Sequence, residues 1–130
     1  MNVTLLKGRL TADPILRYTN TNQIPVATFA IAVPRRLIKD RPQETDFFQI
    51  VAWQGTGEFV CRNFVKGQPI IVEGRLQQRS YTDPKTNETR QVVEVVAETV
   101  DFAGHMLNDP RNNAAINDAN FDPHADQVAA

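Results

Sequence analysis

The stretch that decides the fold of this chain is Asp46-Phe47-Phe48-Gln49-Ile50-Val51-Ala52-Trp53. Its alternate residues form two sets, because successive side chains of a β-strand point to opposite faces. The set predicted to face the core is Phe48, Ile50 and Ala52. The opposite set carries two large aromatic rings and an amide: Phe47, Gln49, Val51 and Trp53. This second set is typical either of a strand buried on both sides, as at a subunit interface, or of a platform for stacking nucleic-acid bases.

Four more β-rich segments surround this strand along the chain. Alternating apolar residues and flanking turn residues predict strands at 3–10, 24–33, 70–81 and 91–102. Residues 56–66 are predicted to form a short helix with Thr56 as its N-cap, stopped by Gly67 and Pro69. This order predicts an all-β chain: a five-stranded OB-fold barrel with one short helix between strands three and four. Other small barrels share parts of that order.

The apolar pattern of the fifth strand shifts by one residue. The apolar residues are first odd-numbered and then even-numbered: Val93, Val95, Ala97, then Val100 and Phe102. A slip of one residue moves every later side chain to the opposite face of the sheet. We therefore expect a β-bulge near Glu98 and Thr99.

The fourth strand is predicted to present polar groups on its outward face. Its even-numbered residues are expected to face the core: Ile70, Val72, Gly74 and Leu76. Its odd-numbered residues are Glu73, Arg75, Gln77, Arg79 and Tyr81. Two guanidinium groups and a phenol ring in a row suit phosphates and a stacked base. A basic strand face that is merely solvated has the same pattern.

Cations are concentrated in the loop after the second strand. Four of them occur within residues 35–41: Arg35, Arg36, Lys39 and Arg41. Such runs are often only solvated, but beside a nucleic-acid-binding face they favour phosphate contacts. The loop at 82–90 adds two cations with weaker support, Lys85 and Arg90.

The net charge of −1 is unevenly distributed along the chain. Residues 1–104 carry thirteen Lys and Arg against eleven Asp and Glu, a balance of +2, whereas residues 105–130 carry one Arg against four Asp, a balance of −3. These last 26 residues are mostly Asn, Asp and Ala, with little apolar periodicity. We therefore expect a barrel domain at 1–104 and a disordered acidic tail at 105–130.

The sequence does not bring together the residues that an enzyme or a metal site needs. His105 and His124 lie beside or within the expected tail, and neither has a neighbour at metal-ligand spacing. Gly55 and Gly57 lack the third glycine of a dinucleotide loop and the lysine of a phosphate loop. We expect no catalytic residues, no metal and no cofactor. The single cysteine and the lack of a long apolar run or signal-peptide pattern favour a cytoplasmic protein without a membrane segment.

Taken together, these segments resemble the bacterial single-stranded DNA-binding proteins over residues 2 to about 104. The carrying segments, in order, are GRLTADP at 8–14, LRY at 16–18, VATF at 26–29, DF and VAW within 46–53, FVKG at 64–67, VEGRL at 72–76, RSY at 79–81 and EVVA at 94–97. The resemblance implies an OB-fold, a homotetramer, and sequence-independent binding of unpaired DNA in replication, recombination and repair. It implies a place in the bacterial cytoplasm, at the nucleoid. Its stacking positions fall on Phe47, Trp53 and Tyr81, which strand parity selects as well.

The residues expected to contact DNA are three aromatics, six cations and two amides: Phe47, Trp53, Tyr81, Arg75, Arg79, Arg35, Arg36, Lys39, Lys85, Gln49 and Gln77. The chain departs from the family at Leu37, where a stacking residue is usual, and at Lys7, where an apolar residue is usual. Its last residues also lack the family's acidic Pro-Phe tip. Recruitment of replication and repair proteins through such a tip is therefore left open.

Two other functions remain compatible with the sequence. One is an OB-fold accessory or primosome-type interaction protein, whose sheet face is a protein interface and whose nucleic-acid binding is weak. The other is a preference for RNA over DNA, because no residue in the sequence is recognisable as a contact for a 2′-hydroxyl group.

Overall fold

The computed structural model describes residues 1–104, which form six strands and one helix. In chain order these are β1 Thr4–Leu10, β2 Ile15–Tyr18, β3 Pro25–Pro34, β4 Thr45–Trp53, α1 Gln54–Asn63, β5 Pro69–Thr82 and β6 Thr89–Phe102. The predicted fold class is confirmed, with the helix between the strands predicted as third and fourth. The short β2 is an additional strand, since four residues are too few to show a clear alternation. The predictions for residues 105–130, including the disordered acidic tail, lie outside the described residues.

Pairing closes the five long strands into a barrel. β1 pairs with β5, β5 with β6, and β3 with β4, all antiparallel, while β4 and β6 run parallel. β3 also meets β1 through the pairs Arg9↔Ala32 and Leu10↔Ile31, which completes the ring. Gly8 makes this closure possible, because a Cβ at that position would lie 2.5 Å from the carbonyl oxygen of Ala32. β2 extends the wall along the same edge of β3.

The inward side chains of the barrel form one apolar core. Ile50 and Ala52 are buried in it, and Phe48 packs against it, as the parity of β4 predicts. Helix α1 packs on β3 and β4 so closely that a Cβ on Gly57 would lie 2.4 Å from the carbonyl oxygen of Ala52. The buried members of the core are Leu10, Ala27, Phe29, Ile31, Ile50, Ala52, Val60, Phe64, Ile70, Val72, Val95 and Ala97.

Helix α1 begins and ends earlier than the sequence pattern predicts. Gln54, with φ 55°, turns the chain sharply out of β4 and is the first residue of the helix. The prediction of Thr56 as N-cap is wrong, because the extended residue before the helix is Trp53, which makes no side-chain capping bond. At the other end, the N–H of Phe64 donates to the carbonyl oxygen of Val60 at 2.9 Å. Within residues 1–104 no helix is both long enough and apolar enough to span a membrane.

A β-bulge interrupts the pairing of β5 with β6. Glu73 pairs with Thr99, but the next residue, Gly74, pairs with Ala97, so Glu98 is the extra residue on β6. The predicted slip near Glu98 and Thr99 is confirmed. Gly74 lies where the strands approach most closely, since a Cβ there would be 2.0 Å from the carbonyl oxygen of Val96.

Beyond Gly74 the β5–β6 hairpin extends past the core. Leu76 lies on the predicted side of β5, opposite the buried Val95, but the prediction that it belongs to the core is wrong, because the residue is 46% exposed. The neighbouring strand β1 starts opposite Gly74, at Thr4, so beyond this point β5 is paired only with β6 and its other edge is open. Instead the side-chain amide of Asn2 bonds the backbone of Leu76, donating to its carbonyl at 2.8 Å and accepting from its N–H at 3.0 Å. We call residues 75–96 the arm.

Candidate nucleic-acid interface

The outward sides of β4, β6 and β5 form one continuous surface. Residues paired across neighbouring strands point to the same side of a sheet. The pairs Val51↔Val96 and Arg75↔Val96 therefore place three side chains in one row. We call this surface the outer face, and it consists of Phe47, Gln49, Val51, Trp53, Arg75, Gln77, Arg79, Tyr81, Arg90, Val92, Glu94 and Val96.

A second row of the outer face is polar. Gln77 pairs with Glu94 across the arm. Gln49 reaches the same level, because β4 and β6 run parallel and it precedes Ile50, the partner of Val95. The strand register therefore places two amides and one carboxylate side by side. The two glutamines are exposed, whereas Glu94 is buried.

Three aromatic rings are exposed on the outer face. The exposed fraction is 67% for Phe47, 45% for Trp53 and 40% for Tyr81, so each ring can be reached from solvent. Phe47 and Trp53 are six residues apart on β4, a separation of roughly 20 Å at the usual rise of a strand. Tyr81 lies on the outer part of the arm, opposite Arg90. The parity prediction for β4 and β5 is thus confirmed for all three rings.

The two arginines that β5 contributes to the outer face have carboxylate partners on β6. The guanidinium of Arg75 lies 3.1 Å from the carboxylate of Glu98, and that of Arg79 lies 3.2 Å from the carboxylate of Glu94. The two arginine side chains are about half exposed. They lie on the predicted face, but the positive charge of each is paired with a carboxylate.

Arg35 fixes the base of the loop between β3 and β4. Its guanidinium pairs with Glu44 at 2.6 Å and with Asp46 at 2.9 Å, and its backbone N–H donates to the carbonyl of Glu44 at 2.8 Å. The hydrogen bond from Arg35, together with its charge, lowers the pKa of Asp46 below its ordinary value, and the same bond raises the pKa of Arg35. Arg35 therefore has a structural role in the loop, which sequence analysis did not predict.

The other predicted cations lie on loops beyond the strand ends. Arg36 and Arg41 border a cavity of about 230 Å³ in the β3–β4 loop, together with Arg35 and Glu44. Lys39 belongs to the same loop, and Lys85 lies at the tip of the arm, where its backbone N–H donates to the Asp83 carboxylate at 2.9 Å. Within residues 1–104, the side chains of Arg36, Lys39 and Lys85 make no ion pair.

Sequence analysis missed one cation that borders the outer face. Arg17 on β2 pairs with Val26, and Val26 pairs with Trp53, so the guanidinium lies in the same row as the indole ring. Arg17 is exposed and has no ion-pair partner within residues 1–104. The signal that could have found it is the existence of β2, which places Arg17 on the outward side.

No group in the described part of the chain has the composition of a metal site. Residues 1–104 contain no cluster of three or more His, Cys, Asp and Glu side chains. Burial raises the pKa of the Cys61 thiol. The thiol is therefore less readily ionised than a free cysteine, which is the opposite of what a reactive nucleophile needs.

Comparison with known proteins gives one consistent result. Residues 1–103 match the model of the single-strand binding protein family. The chain is 42% identical to single-stranded DNA-binding protein 3 of Clostridium acetobutylicum over 124 residues, which covers 90% of this chain and 85% of that protein. It is 38% identical to the single-stranded DNA-binding protein of Clostridium tetani, covering 95% and 84%. For the single-stranded DNA-binding protein of Bacillus cereus the identity is 39%, covering 93% and 68%.

Proposed function

This chain belongs to the single-strand binding protein family and binds single-stranded DNA, and we propose that it does so on the outer face, by base stacking and phosphate pairing. Its place is in DNA replication, recombination and repair. We further propose that it acts without catalysis, as a coat on unpaired strands in the bacterial cytoplasm, at the nucleoid.

The observation that carries this proposal is the exposure of large aromatic rings on one sheet face. Phe47 and Trp53 lie on the side of β4 away from the core, and Tyr81 lies on the arm beyond the core, so another molecule could cover all three exposed rings. A stacked base gives about 1–3 kcal/mol per ring and tolerates any sequence, since every base has a π-face. Gln49 and Gln77 lie in the row between these rings and can bond base edges without selecting one base.

Phosphates are proposed to pair with cations at the rim of the outer face. Arg17, Arg36, Lys39 and Lys85 are exposed and unpaired within residues 1–104, so each is free to meet a phosphate. Arg35, Arg75 and Arg79 carry carboxylate partners. The contribution of each of these arginines to phosphate binding depends on how readily it can separate from its carboxylate partner.

The chain is also proposed to assemble as a homotetramer. Val3, just ahead of β1, and Leu5 on the outward side of that strand are exposed apolar side chains that a subunit contact would cover. We expect light scattering to give the mass of four chains. A monomeric mass at micromolar concentration would contradict this assembly.

The competing function is that of an accessory protein whose outer face binds another protein. Exposed aromatic rings suit a protein interface as well as a DNA strand. The two functions differ in their response to oligonucleotides, because an accessory protein needs no affinity for unpaired bases at moderate salt.

A fluorescence titration with oligo-dT separates the two functions. Trp53 is the one tryptophan of the chain, so base stacking should quench the intrinsic emission. The logarithm of the binding constant should fall linearly with the logarithm of the salt concentration. The steepness of this line, the salt slope, should be about 0.7 for each phosphate neutralised. Duplex DNA of equal length should compete poorly, because its bases are not available for stacking. Unchanged emission at low salt, together with no binding of labelled oligo-dT, would favour the accessory protein.

A further inference from the structure

The outer face contains a buried carboxylate at its centre. The side chain of Glu94 is only 9% exposed, although it points to the same side as Gln49 and Gln77. A buried negative charge is unexpected on a surface that receives a polyanion. The one ion-pair partner it has within residues 1–104 is Arg79, whose Nε donates to Glu94 Oε1 at 3.2 Å.

A second pair on the same two strands provides an internal comparison. Arg75 and Glu98 are also an arginine on β5 and a glutamate on β6, at nearly the same distance, 3.1 Å. The Glu98 side chain, however, is 58% exposed, because it is the extra residue of the β-bulge. The two pairs therefore differ mainly in the burial of the carboxylate.

Burial decides how easily each arginine can leave its partner. An exposed ion pair contributes little, because water solvates both charges once they separate. A phosphate can therefore replace Glu98 at Arg75 at small cost. Removing the partner of a buried carboxylate leaves an uncompensated charge, which is strongly unfavourable. Arg79 is consequently held by Glu94 even when DNA is bound.

We propose that Glu94 is a positioning residue of the DNA-binding face, which holds Arg79 in a neutral pair while Arg75 exchanges Glu98 for a phosphate. This inference rests on the proposed function of the outer face. Arg79 then orients the DNA strand, but the Arg79–Glu94 pair adds no net positive charge to the binding face. Glu94 therefore lowers both the affinity for DNA and the dependence of that affinity on salt.

The test measures oligo-dT affinity against salt for Glu94→Gln and for the matched control Glu98→Gln. Glutamine has nearly the same shape as glutamate and can still accept the hydrogen bond from Arg79, so the fold should persist. Because Glu94→Gln releases one cation, the salt slope should steepen by about 0.7, and the ratio of affinities at 50 and 200 mM salt should rise about 2.6-fold. Glu98→Gln should change this slope by less than half as much, since Arg75 already meets a phosphate.

A second pair of variants identifies the released cation. Arg79→Gln in the Glu94→Gln background should return the slope to that of the unmodified chain, and this double variant leaves no buried charge that would unfold the barrel. If Glu94→Gln binds oligo-dT with the slope of the unmodified chain, the inference is wrong and the proposed function stands. If the unmodified chain itself does not bind oligo-dT, the proposed function fails instead.

Discussion

The two parts of the β5–β6 hairpin have the same alternating sequence but different surroundings. Below Gly74, Ile70 and Val72 are fully buried, with β1 alongside β5 and the core beneath. In the arm, Leu76 continues the same even-numbered series and is nevertheless exposed. The pattern of a strand therefore determines which side chains share a face, but the neighbouring strand determines how far the core extends beneath that face.

The difference also explains where the DNA-binding residues lie. The arm carries Arg75, Gln77, Arg79 and Tyr81, whose side chains have no structural layer above them. A region that contributes little to the core can vary its side chains and flex without unfolding the barrel. The lower part of the hairpin holds the fold, and the arm is available for binding.

The largest expected effect is a difference in the free energy of unfolding between substitutions in the two parts of β5. Ile70→Ala removes a fully buried side chain and should lower the free energy of unfolding by about 2–5 kcal/mol. Leu76→Ala, on the same strand face, should stay within about 0.5 kcal/mol of the unmodified chain, as is usual for a surface position. Urea unfolding followed by circular dichroism measures both. Equal losses would mean that the core extends under the arm.

The next effect concerns binding on the outer face. Trp53→Ala and Tyr81→Ala should each weaken oligo-dT binding by about 1–3 kcal/mol, because each removes a stacking surface. Anisotropy of a labelled oligonucleotide measures both variants, including the one that lacks tryptophan. Val93→Ala is the matched control, since it removes an exposed apolar side chain from the inner side of the arm. If Val93→Ala weakened DNA binding as much as Tyr81→Ala, the DNA would not be confined to the outer face, and the assignment of that face would be wrong.

The smallest effect concerns the junction between the two parts. Asn2→Ala removes two hydrogen bonds to the backbone of Leu76 and should cost at most about 1 kcal/mol, because the site is exposed to water. Amide hydrogen exchange should show faster exchange at Leu76, while Val72 remains protected by its pairing with β1. Unchanged exchange at Leu76 would mean that Asn2 does not hold the base of the arm.

Strand parity predicted most of the outer face from the sequence. Phe47 and Trp53 on β4, and the outward residues of β5, could be assigned because period-two geometry is local. The bulge at Glu98 was also predictable, since a slip in apolar parity lies within a single strand.

Contacts between distant segments could not be predicted in this way. The exposure of Leu76 depends on where β1 begins, and the position of Arg17 depends on a strand of only four residues. The carboxylate partners of Arg35, Arg75 and Arg79 depend on the register between strands. That these arginines, Arg36, Lys39, Lys85 and the aromatic rings contact DNA stays a prediction.

The most direct test of the account compares two adjacent phenylalanines on β4. Phe47 is exposed on the outer face and Phe48 packs against the core, so Phe47→Ala and Phe48→Ala remove the same ring from opposite sides of one strand. Phe47→Ala should weaken oligo-dT binding by about 1–3 kcal/mol with unchanged stability. Phe48→Ala should lower the free energy of unfolding by roughly 3 kcal/mol, and the protein that remains folded should bind normally. Loss of binding from Phe48→Ala with unchanged stability, and the reverse for Phe47→Ala, would contradict the assignment of the outer face.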